Sequence, residues 1–356
     1  MHTPVAFIIF NRPDLTEQVF REIAKAQPPK LFVIADGPRP NQLGEADKCA
    51  AARAVVERVN WDCEVVKNYS DVNLGCGVRV ATGISWVFEQ TEEAIILEDD
   101  CVPHPTFFRF CEELLDRHRD DERVMQISGG NLHSGRKWGP YSYFFSRHSN
   151  IWGWATWRRA WRFYDIRVES WPLLRDTPWL QELLRNAKVA RFLGDQFERA
   201  YQSEFHWWTW DYQWIFACWM QRGLCIYPNS SLISNVGCRG DATHTQWTGN
   251  KFARIPLEEM AFPLQHPPHV IPHEEADDAF VREVFSQDVP TPERLPRRLG
   301  NKLRQTYAAT VPAPVRLQLR RLRGKPVDVA TNRMRWANPA NAPSSSLTAN
   351  QIGGAF

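Results

Sequence analysis

Apolar runs alternate with amphipathic segments along the first 130 residues of the chain. Four apolar runs bounded by polar residues are typical of buried strands, at residues 5–10, 31–35, 63–67 and 94–97. Segments with apolar residues at helical spacing follow them, at residues 15–26, 45–59, 78–88 and 107–115. This alternation predicts βαβ units, and therefore an α/β fold with a mostly parallel, doubly wound sheet flanked by helices.

The pattern changes after residue 128. Residues 143–146 and 224–236 contain runs typical of strands, whereas residues 150–157 are predicted to form a loop that enters a helix at residues 158–163. Residues 179–201 are predicted to be largely helical. From about Pro290 the chain becomes rich in Pro and Arg, which indicates a domain edge, and residues 338–356 have the low apolar content of a disordered segment.

Charge is balanced overall but unevenly placed. The formal net charge is +2, which gives no indication of a nucleic-acid partner. Residues 294–325 contain ten Lys or Arg and no Asp or Glu. Such a tail is a candidate for peripheral contact with an anionic membrane surface, and a plain solvated tail is the alternative.

The cysteines and the hydropathy of the chain indicate the cellular compartment in which we expect the protein. Eight cysteines are scattered without a C-x-x-C pair or a zinc-ligand spacing, which favours reduced thiols. No signal peptide is visible before the first apolar run, and no apolar stretch approaches the roughly 20 residues of a membrane span. We therefore expect a cytoplasmic protein, with any membrane association limited to its tail.

Three consecutive carboxylates, Glu98, Asp99 and Asp100, end the apolar run at residues 94–97. In an open α/β sheet, ligands bind outside the carboxyl ends of the strands. Adjacent carboxylates repel one another unless a cation offsets them, and Mg²⁺ or Mn²⁺ bound by one or two carboxylates plus substrate phosphates fits such a site. The alternative is a solvated acidic turn.

Polar residues also follow the first two predicted strands. Arg12 can pair with a phosphate or stack on a base, and the carboxylate of Asp36 can accept a hydrogen bond from a base or a ribose hydroxyl. Asp36-Gly37-Pro38 is also a good turn sequence in its own right. Together with the acidic run, these residues predict a nucleotide-binding crevice at one edge of the sheet.

Two further candidates lie in the second half of the chain. Asp211 is flanked by Trp210 and Tyr212, in the densest part of a chain that contains 16 Trp. A carboxylate in such surroundings suits proton abstraction, and a helix-capping Asp is the alternative. His244 lies in a polar loop. It is a candidate metal ligand from late in the chain, or a candidate phosphate contact, and the alternative is an exposed histidine without such a role.

The sequence gives little support for other kinds of cofactor or nucleophile chemistry. The chain has no Walker-type glycine loop and no serine nucleophile elbow. The glycines at 75 and 77 lack the spacing of a dinucleotide fingerprint.

Six motifs together resemble those of a GT-A glycosyltransferase. They are FIIFNRPD, VIADGP, AIILEDDCVPHPTFFRFCEELL, IWGWATWRRAW, TWDYQW and GDATHT. The resemblance is closest to bacterial glycosyltransferase family 2-like sequences and to the N-acetylglucosaminyltransferase I type, and it covers residues 4–250. The most specific part is the EDD sequence followed by a helix that begins with Pro-x-Phe-Phe.

The resemblance implies a GT-A fold, a nucleotide-sugar donor, a divalent metal and inverting transfer. Residues 1–130 would be the donor-binding half, residues 131–289 the acceptor-binding and catalytic half, and residues 290–356 the basic tail. It implies the following site roles: Asp100 and His244 for the metal; Arg12, Asp36, Glu98 and Asp99 for the donor; Gly153 and Trp154 for the sugar or acceptor; and Asp211 as the catalytic base. The motif around Asp211 has one acid where the eukaryotic relative has two.

We expect a UDP-sugar as the donor, a glycan or a lipid-linked molecule as the acceptor, and Mn²⁺ or Mg²⁺ as the cofactor. Two other classes of protein stay open at this point. A sugar-phosphate nucleotidyltransferase shares the layered fold and the metal, although the first strand here lacks its Gly-rich basic signature. A non-catalytic carbohydrate-binding protein would explain the Trp-rich segment.

Overall fold

A computed structural model describes residues 1–202, 209–238 and 252–286, all within a unit that extends from Met1 to Pro290. His244 and the basic tail at 290–356 lie outside the described residues. The membrane contact expected of the tail therefore stays a prediction. Among the described helices, none combines the length and the hydropathy that crossing a membrane requires.

The described strands are β1 (Val5–Ile9), β2 (Lys30–Ala35), β3 (Glu64–Tyr69), β4 (Glu93–Glu98), β5 (Cys101–Pro103), β6 (Val124–Ser128), β7 (Tyr143–Ser146), β8 (Trp154–Trp157), β9 (Leu224–Pro228) and β10 (Ile233–Asn235). The α-helices are α1 (Pro13–Ala26), α2 (Glu45–Val56), α3 (Gly75–Phe88), α4 (Thr106–Arg117), α5 (Arg158–Trp161), α6 (Trp179–Leu184), α7 (Ala187–Tyr201), α8 (Asp211–Met220) and α9 (Glu274–Phe280). A 3₁₀ turn occupies Trp171–Leu173, and a π-helical turn, Val281–Phe285, follows α9.

An eight-stranded mixed sheet has the order β3-β2-β1-β4-β8-β6-β9-β7. Strands β3, β2, β1 and β4 are parallel to one another, as are β6 and β9. Strand β8 is antiparallel to both β4 and β6, and β7 is antiparallel to β9. A small second sheet pairs β10 with β5. The predicted α/β fold with a mostly parallel sheet flanked by helices is thus confirmed.

Side chains of β1 alternate between two apolar layers. Val5, Phe7 and Ile9 pack in the layer that contains residues of α1 and α4, whereas Ala6 and Ile8 face residues of α3 and α8. Because successive side chains of a strand point to opposite faces, a strand covered on both faces is apolar throughout. This explains why the strand at residues 5–10 is readable from its sequence. A third apolar layer involves α6, α7 and α9.

The loop predicted at residues 150–157 is wrong in its second half, which forms β8 in the interior of the sheet. Trp154 pairs with Ile96, and Trp157 pairs with Glu93, so β8 runs back along β4. All four residues of β8 are buried. A four-residue strand that is buried on both faces shows neither alternation nor a long apolar run, and this removes the signal on which the prediction relied.

Two predicted helices are shorter or divided in the structure. The helix predicted at residues 158–163 ends at Trp161. The segment at 179–201 breaks between α6 and α7, where Arg185 adopts a left-handed conformation with φ 50°. Asn186 then caps α7, since its side chain accepts hydrogen bonds from the backbone N–H groups of Lys188 and Val189.

Candidate active site

The residues predicted at the first two strands and at the acidic run meet at one edge of the sheet. Strands β2, β1 and β4 are adjacent and parallel, so their carboxyl ends lie side by side. Arg12 follows β1, Asp36 follows β2, and Glu98 ends β4. This edge, with Asp99 and Asp100, is called the carboxyl edge below.

Arg12 is an internal counter-cation for the acidic run. Its Nη2 atom donates a hydrogen bond to Oδ1 of Asp99 and lies 2.9 Å from Oδ2 of Asp100. The side chain of Asp99 is almost fully buried, and its Oδ2 atom has no hydrogen-bond partner among the described residues. Burial raises the pKa of Asp99, and the charge of Arg12 opposes that rise. The carboxyl edge therefore contains negative charge that one guanidinium group offsets only in part.

Glu98 and Asp211 come from distant parts of the chain but interact electrostatically. Burial raises the pKa of Glu98, and the charges of Asp100, Asp99 and Asp211 raise it further. Asp211 is the first residue of α8, the helix that packs on the face of the sheet containing Ile96 and Trp154. The predicted catalytic base and the predicted metal site are thus brought close together.

Local contacts hold the carboxylate of Asp211 in place. The hydroxyl of Thr209 donates to its Oδ1 atom, and the backbone N–H of Tyr212 donates to the same oxygen at 3.0 Å. Behind it, Trp210 stacks on Trp154 at a centroid distance of 5.9 Å. Asp211 is the first residue of α8 and Trp210 is the N-cap residue, so the side chain of Asp211 does not cap the helix in the ordinary way. Its Oδ2 atom takes no part in these contacts.

Asp36 has a structural role. Its Oδ1 atom accepts from the N–H groups of Gly37 and Leu74, both at 2.9 Å, and its Oδ2 atom accepts from the N–H of Gly75 at 3.0 Å and from Nδ2 of Asn73 at 3.1 Å. A carboxylate offers about four lone-pair positions, so these contacts fill them. Asp36 thereby joins the end of β2 to the start of α3. A nucleotide contact at Asp36 stays a prediction, and it would have to replace one of these bonds.

Gly153 and Trp154 lie in the sheet interior. Gly153 has φ +61°, and a Cβ atom there would lie 2.4 Å from Cδ1 of Ile233. Trp154 is 1% exposed, and its ring packs between Trp210 and Trp214. The predicted lining of the sugar or acceptor by Trp154 is therefore corrected: its ring supports the wall behind Asp211. A sugar contact at the backbone of Gly153 stays a prediction.

Cys76 is a residue of this site that the sequence analysis missed. Burial raises its pKa well above the ordinary value, and the charges of Glu98, Asp211, Asp100 and Asp36 add to that effect. Its thiol therefore lies within electrostatic reach of carboxylates from β2, β4 and α8. The only signal in the sequence is its position in the first turn of a helix that starts at the carboxyl edge.

The oxygen ligands at this edge fit a hard divalent cation that is completed by a substrate. Within residues 1–202, 209–238 and 252–286, no three His, Cys, Asp or Glu side chains form a metal cluster. Mg²⁺-type sites commonly use one or two carboxylates with substrate phosphates, so a complete protein cage is not required. Asp100 is partly exposed, and a Cβ atom at Gly237 would lie 2.0 Å from its Oδ2 atom. Glycine at this position leaves room for that carboxylate.

Comparison with known proteins gives one significant relative by sequence. No protein-family model matches the chain. Over 222 residues, the chain is 25% identical to an alpha-1,3-mannosyl-glycoprotein 2-beta-N-acetylglucosaminyltransferase of Arabidopsis thaliana. The chain is thus distantly similar in sequence to this glycosyltransferase. The match covers 57% of the chain and 48% of that enzyme, so the chain spans about half the length of its relative.

Solved structures similar to this chain include a UDP-glucose pyrophosphorylase in complex with UDP-glucose. That protein is 10% identical, with a TM-score of 0.28 over 46% of this chain and 79% of its own. HddC from Yersinia pseudotuberculosis, solved with GMP-PN, is 9% identical with a TM-score of 0.27 over 44% and 77% of the two chains. What the structure itself shows is a mostly parallel mixed sheet flanked by helices.

Proposed function

We propose that the protein is a metal-dependent, inverting glycosyltransferase. It would transfer a sugar from a nucleoside-diphosphate donor, with a UDP-sugar expected, to a hydroxyl group of a glycan or lipid-linked acceptor. The observation that supports this most is the stacking of Trp210, the residue before Asp211, on Trp154 of β8, which pairs with Ile96 of β4 two residues before Glu98. It would bring the acidic run and the candidate base into one site.

Asp100 would hold Mn²⁺ or Mg²⁺, which neutralises the negative charge that develops on the departing diphosphate. Arg12 lies beside Asp100 and would pair with a phosphate oxygen of the donor. Glu98 and Asp99 would accept hydrogen bonds from hydroxyl groups of the ribose or the sugar. His244 stays a candidate further ligand outside the described residues.

Asp211 would accept the proton of the acceptor hydroxyl as that oxygen attacks the anomeric carbon from the side opposite the diphosphate. The hydrogen bonds from Thr209 and Tyr212 fix one carboxylate oxygen and leave the other for the acceptor. A single displacement inverts the configuration, as it does in inverting glycosidases. The buried stack of Trp154 and Trp210 keeps the backbone that carries Asp211 in position.

A panel of nucleotide sugars with and without Mn²⁺ tests this proposal, with thermal stabilisation and release of nucleoside diphosphate as the readouts. We expect one nucleotide sugar to stabilise the protein in a metal-dependent way, and Asp100→Ala to abolish that effect. We expect Asp211→Asn to keep donor binding and to lower turnover by about 10²- to 10⁴-fold, the usual contribution of a positioned base. Asp47→Asn, an exposed acid of α2, is the matched control.

Three results would contradict the proposal in different ways. Full turnover in the variant Asp211→Asn would show that Asp211 is not the catalytic base. Release of pyrophosphate from a nucleoside triphosphate would indicate a sugar-phosphate nucleotidyltransferase. Metal-independent sugar binding with no affinity for any nucleotide sugar would indicate a carbohydrate-binding protein.

A further inference from the structure

A second concave site lies at the opposite edge of the sheet from the carboxyl edge. Strand β8 runs antiparallel to β4, so its end at Trp157 pairs with Glu93, the first residue of β4. Residues 158–163 therefore begin at the amino end of β4. The starts of β6 and β9, paired at Val124 and Leu224, lie at this edge too. A cavity of about 240 Å³ opens there.

Four arginines line this cavity, and it is called the arginine pocket below. They are Arg123, Arg159, Arg162 and Arg222, and Glu122 is the one acidic residue of the lining. They come from three separate places in the chain: the turn before β6, the helix α5 with its end, and the turn before β9. The fold, rather than a basic run in the sequence, brings these charges together.

Arg159 forms the fixed inner charge of the arginine pocket. Its guanidinium group donates to the carbonyl oxygens of Arg119, His118 and Val124 at 2.6, 2.8 and 2.9 Å. It also lies over the ring of Trp157, 4.2 Å from the centroid. Among the described residues it has no carboxylate within ion-pair distance, and burial lowers its pKa. A half-buried cation whose side-chain hydrogen bonds go to neutral carbonyl groups is favourable for a bound anion.

Arg162 and Arg222 stand at the mouth of the pocket. Both are exposed, and neither forms an ion pair with another residue in the described part of the chain, although the guanidinium group of Arg162 lies over one face of the Phe163 ring, 4.7 Å from its centroid. Arg123 differs, because its guanidinium group is held by Asp121 at 2.7 and 2.8 Å. Asp121, Glu122 and Asp120 lie on the same turn and reduce the positive field at Arg159, although of the three only Glu122 is part of the lining. Two exposed cations and the half-buried Arg159 therefore remain for a ligand.

One wall of the pocket is apolar. The ring of Phe163 is 37% exposed, and Met125 and Ala160 complete that side. A cavity of about 240 Å³ is smaller than the ~300 Å³ at which pockets for drug-sized ligands begin. An anionic group joined to a small ring would match both the arginines and the aromatic wall.

We propose that the arginine pocket binds a phosphomonoester on a small ring, of the sugar-phosphate class. The phosphate would contact Arg159, Arg162 and Arg222, and the ring would pack on Phe163. This site is separate from the proposed transferase site, which lies at the other edge of the sheet. Its occupation requires no divalent metal.

Calorimetric titration of the full chain with glucose 6-phosphate in EDTA tests the proposal. EDTA removes the metal on which phosphate binding at the carboxyl edge would depend. We expect millimolar or tighter binding of glucose 6-phosphate and none of glucose. The double variant Arg162→Gln/Arg222→Gln should bind at least about tenfold more weakly, because two charge-assisted contacts with the phosphate are lost. The matched control is Arg167→Gln/Arg191→Gln, which removes two exposed arginines elsewhere.

The proposal is overturned if the wild-type chain does not bind glucose 6-phosphate, or if the two double variants bind it equally. Competition by UDP in EDTA would also overturn it, because the phosphate would then lie at the carboxyl edge. Vesicles that contain phosphatidic acid form a further arm. Binding to those vesicles without binding of the soluble sugar phosphate would assign the phosphate to a lipid headgroup and reject the sugar-phosphate class.

Discussion

Arg12 lies beside two of three consecutive carboxylates, and its position makes it the residue on which the charge balance of the carboxyl edge depends. Both Asp99 and Asp100 face its guanidinium group, and only 4% of the Asp99 side chain is exposed. Removal of one partner of a buried ion pair leaves an uncompensated charge, which is strongly unfavourable. The same position is where a divalent cation would be bound, so Arg12 and the cation offset the same negative charge.

Arg12→Gln is therefore expected to lower the free energy of unfolding by about 3 kcal/mol in EDTA at pH 8, which is above the pKa of about 6 of its partner Asp99. Saturating Mn²⁺ should restore part of that loss, because it replaces the missing positive charge. Urea unfolding with and without Mn²⁺ measures both effects. Arg58→Gln, which removes the exposed ion pair with Glu17, should change stability by less than about 1 kcal/mol. Equal losses in the two variants, or no response to Mn²⁺, would contradict this account.

At the scale of elements, β8 is the strand that joins the two halves of the sheet. It pairs with β4 on one side and with β6 on the other, and Thr156 donates a hydrogen bond to the carbonyl of Met125 at 2.6 Å. Gly153 makes the entry to this strand possible, since it combines a left-handed backbone with close contact to Ile233.

Gly153→Ala should destabilise the protein through both features. A left-handed backbone costs a non-glycine residue about 1–2 kcal/mol, and the clash with Ile233 adds an overpacking cost of about 1–3 kcal/mol. Gly44→Ala is the matched control, since Gly44 has φ +73° and no atom within 4 Å of its added Cβ. The difference between the two free energies of unfolding isolates the contact with Ile233. No difference between the variants would show that Ile233 moves aside freely.

Strands and helices were predictable from the sequence where a local apolar pattern determined them. Strands β1, β2 and β4 are continuous apolar runs, and their parallel order places Arg12, Asp36 and the acidic run together. The start of α3 was not predictable, because Asp36 fixes it from 38 residues away through the N–H of Leu74. Cys76 was missed for the same reason. The burial of Trp154 depends on Trp210 and Trp214 of a distant helix, which no local pattern reports.

At the scale of the whole molecule, buried histidines make stability depend on pH. Burial lowers the pKa of His118 and of His133 to about 4, and that of His148 to about 3. The unfolded chain binds protons at these residues from about pH 6.5 downward, whereas the folded chain does not. Stability is therefore lost as pH falls below 6.5, by up to about 1.4 kcal/mol per pH unit for each histidine. Asp277 opposes this, because burial raises its pKa to about 6.

His148→Phe should reduce the slope of the free energy of unfolding between pH 6.5 and pH 4.5. Its ring stacks on Phe280 at a centroid distance of 5.2 Å, so phenylalanine keeps the packing and removes the titration. Urea unfolding at several pH values gives the slope. The substitution His269→Gln, at an exposed histidine, serves as the control and should leave the slope as it is. An unchanged slope in His148→Phe would show that His148 does not contribute to the pH dependence of stability.

The sheet order also has a consequence for synthesis of the chain on the ribosome. Strand β6 pairs with β8 and β9 and with no strand that precedes it, and its partner residue in β9 for Val124 is Leu224, 100 residues later. At ~5–20 residues per second, β6 waits about 5–20 seconds for that partner. During this interval the edge of β6 that will pair with β9 is open to other chains. All five residues of β6 are buried in the finished protein. A nascent chain stalled before residue 224 is thus a substrate for chaperones, and translation speed between β8 and β9 becomes a determinant of yield.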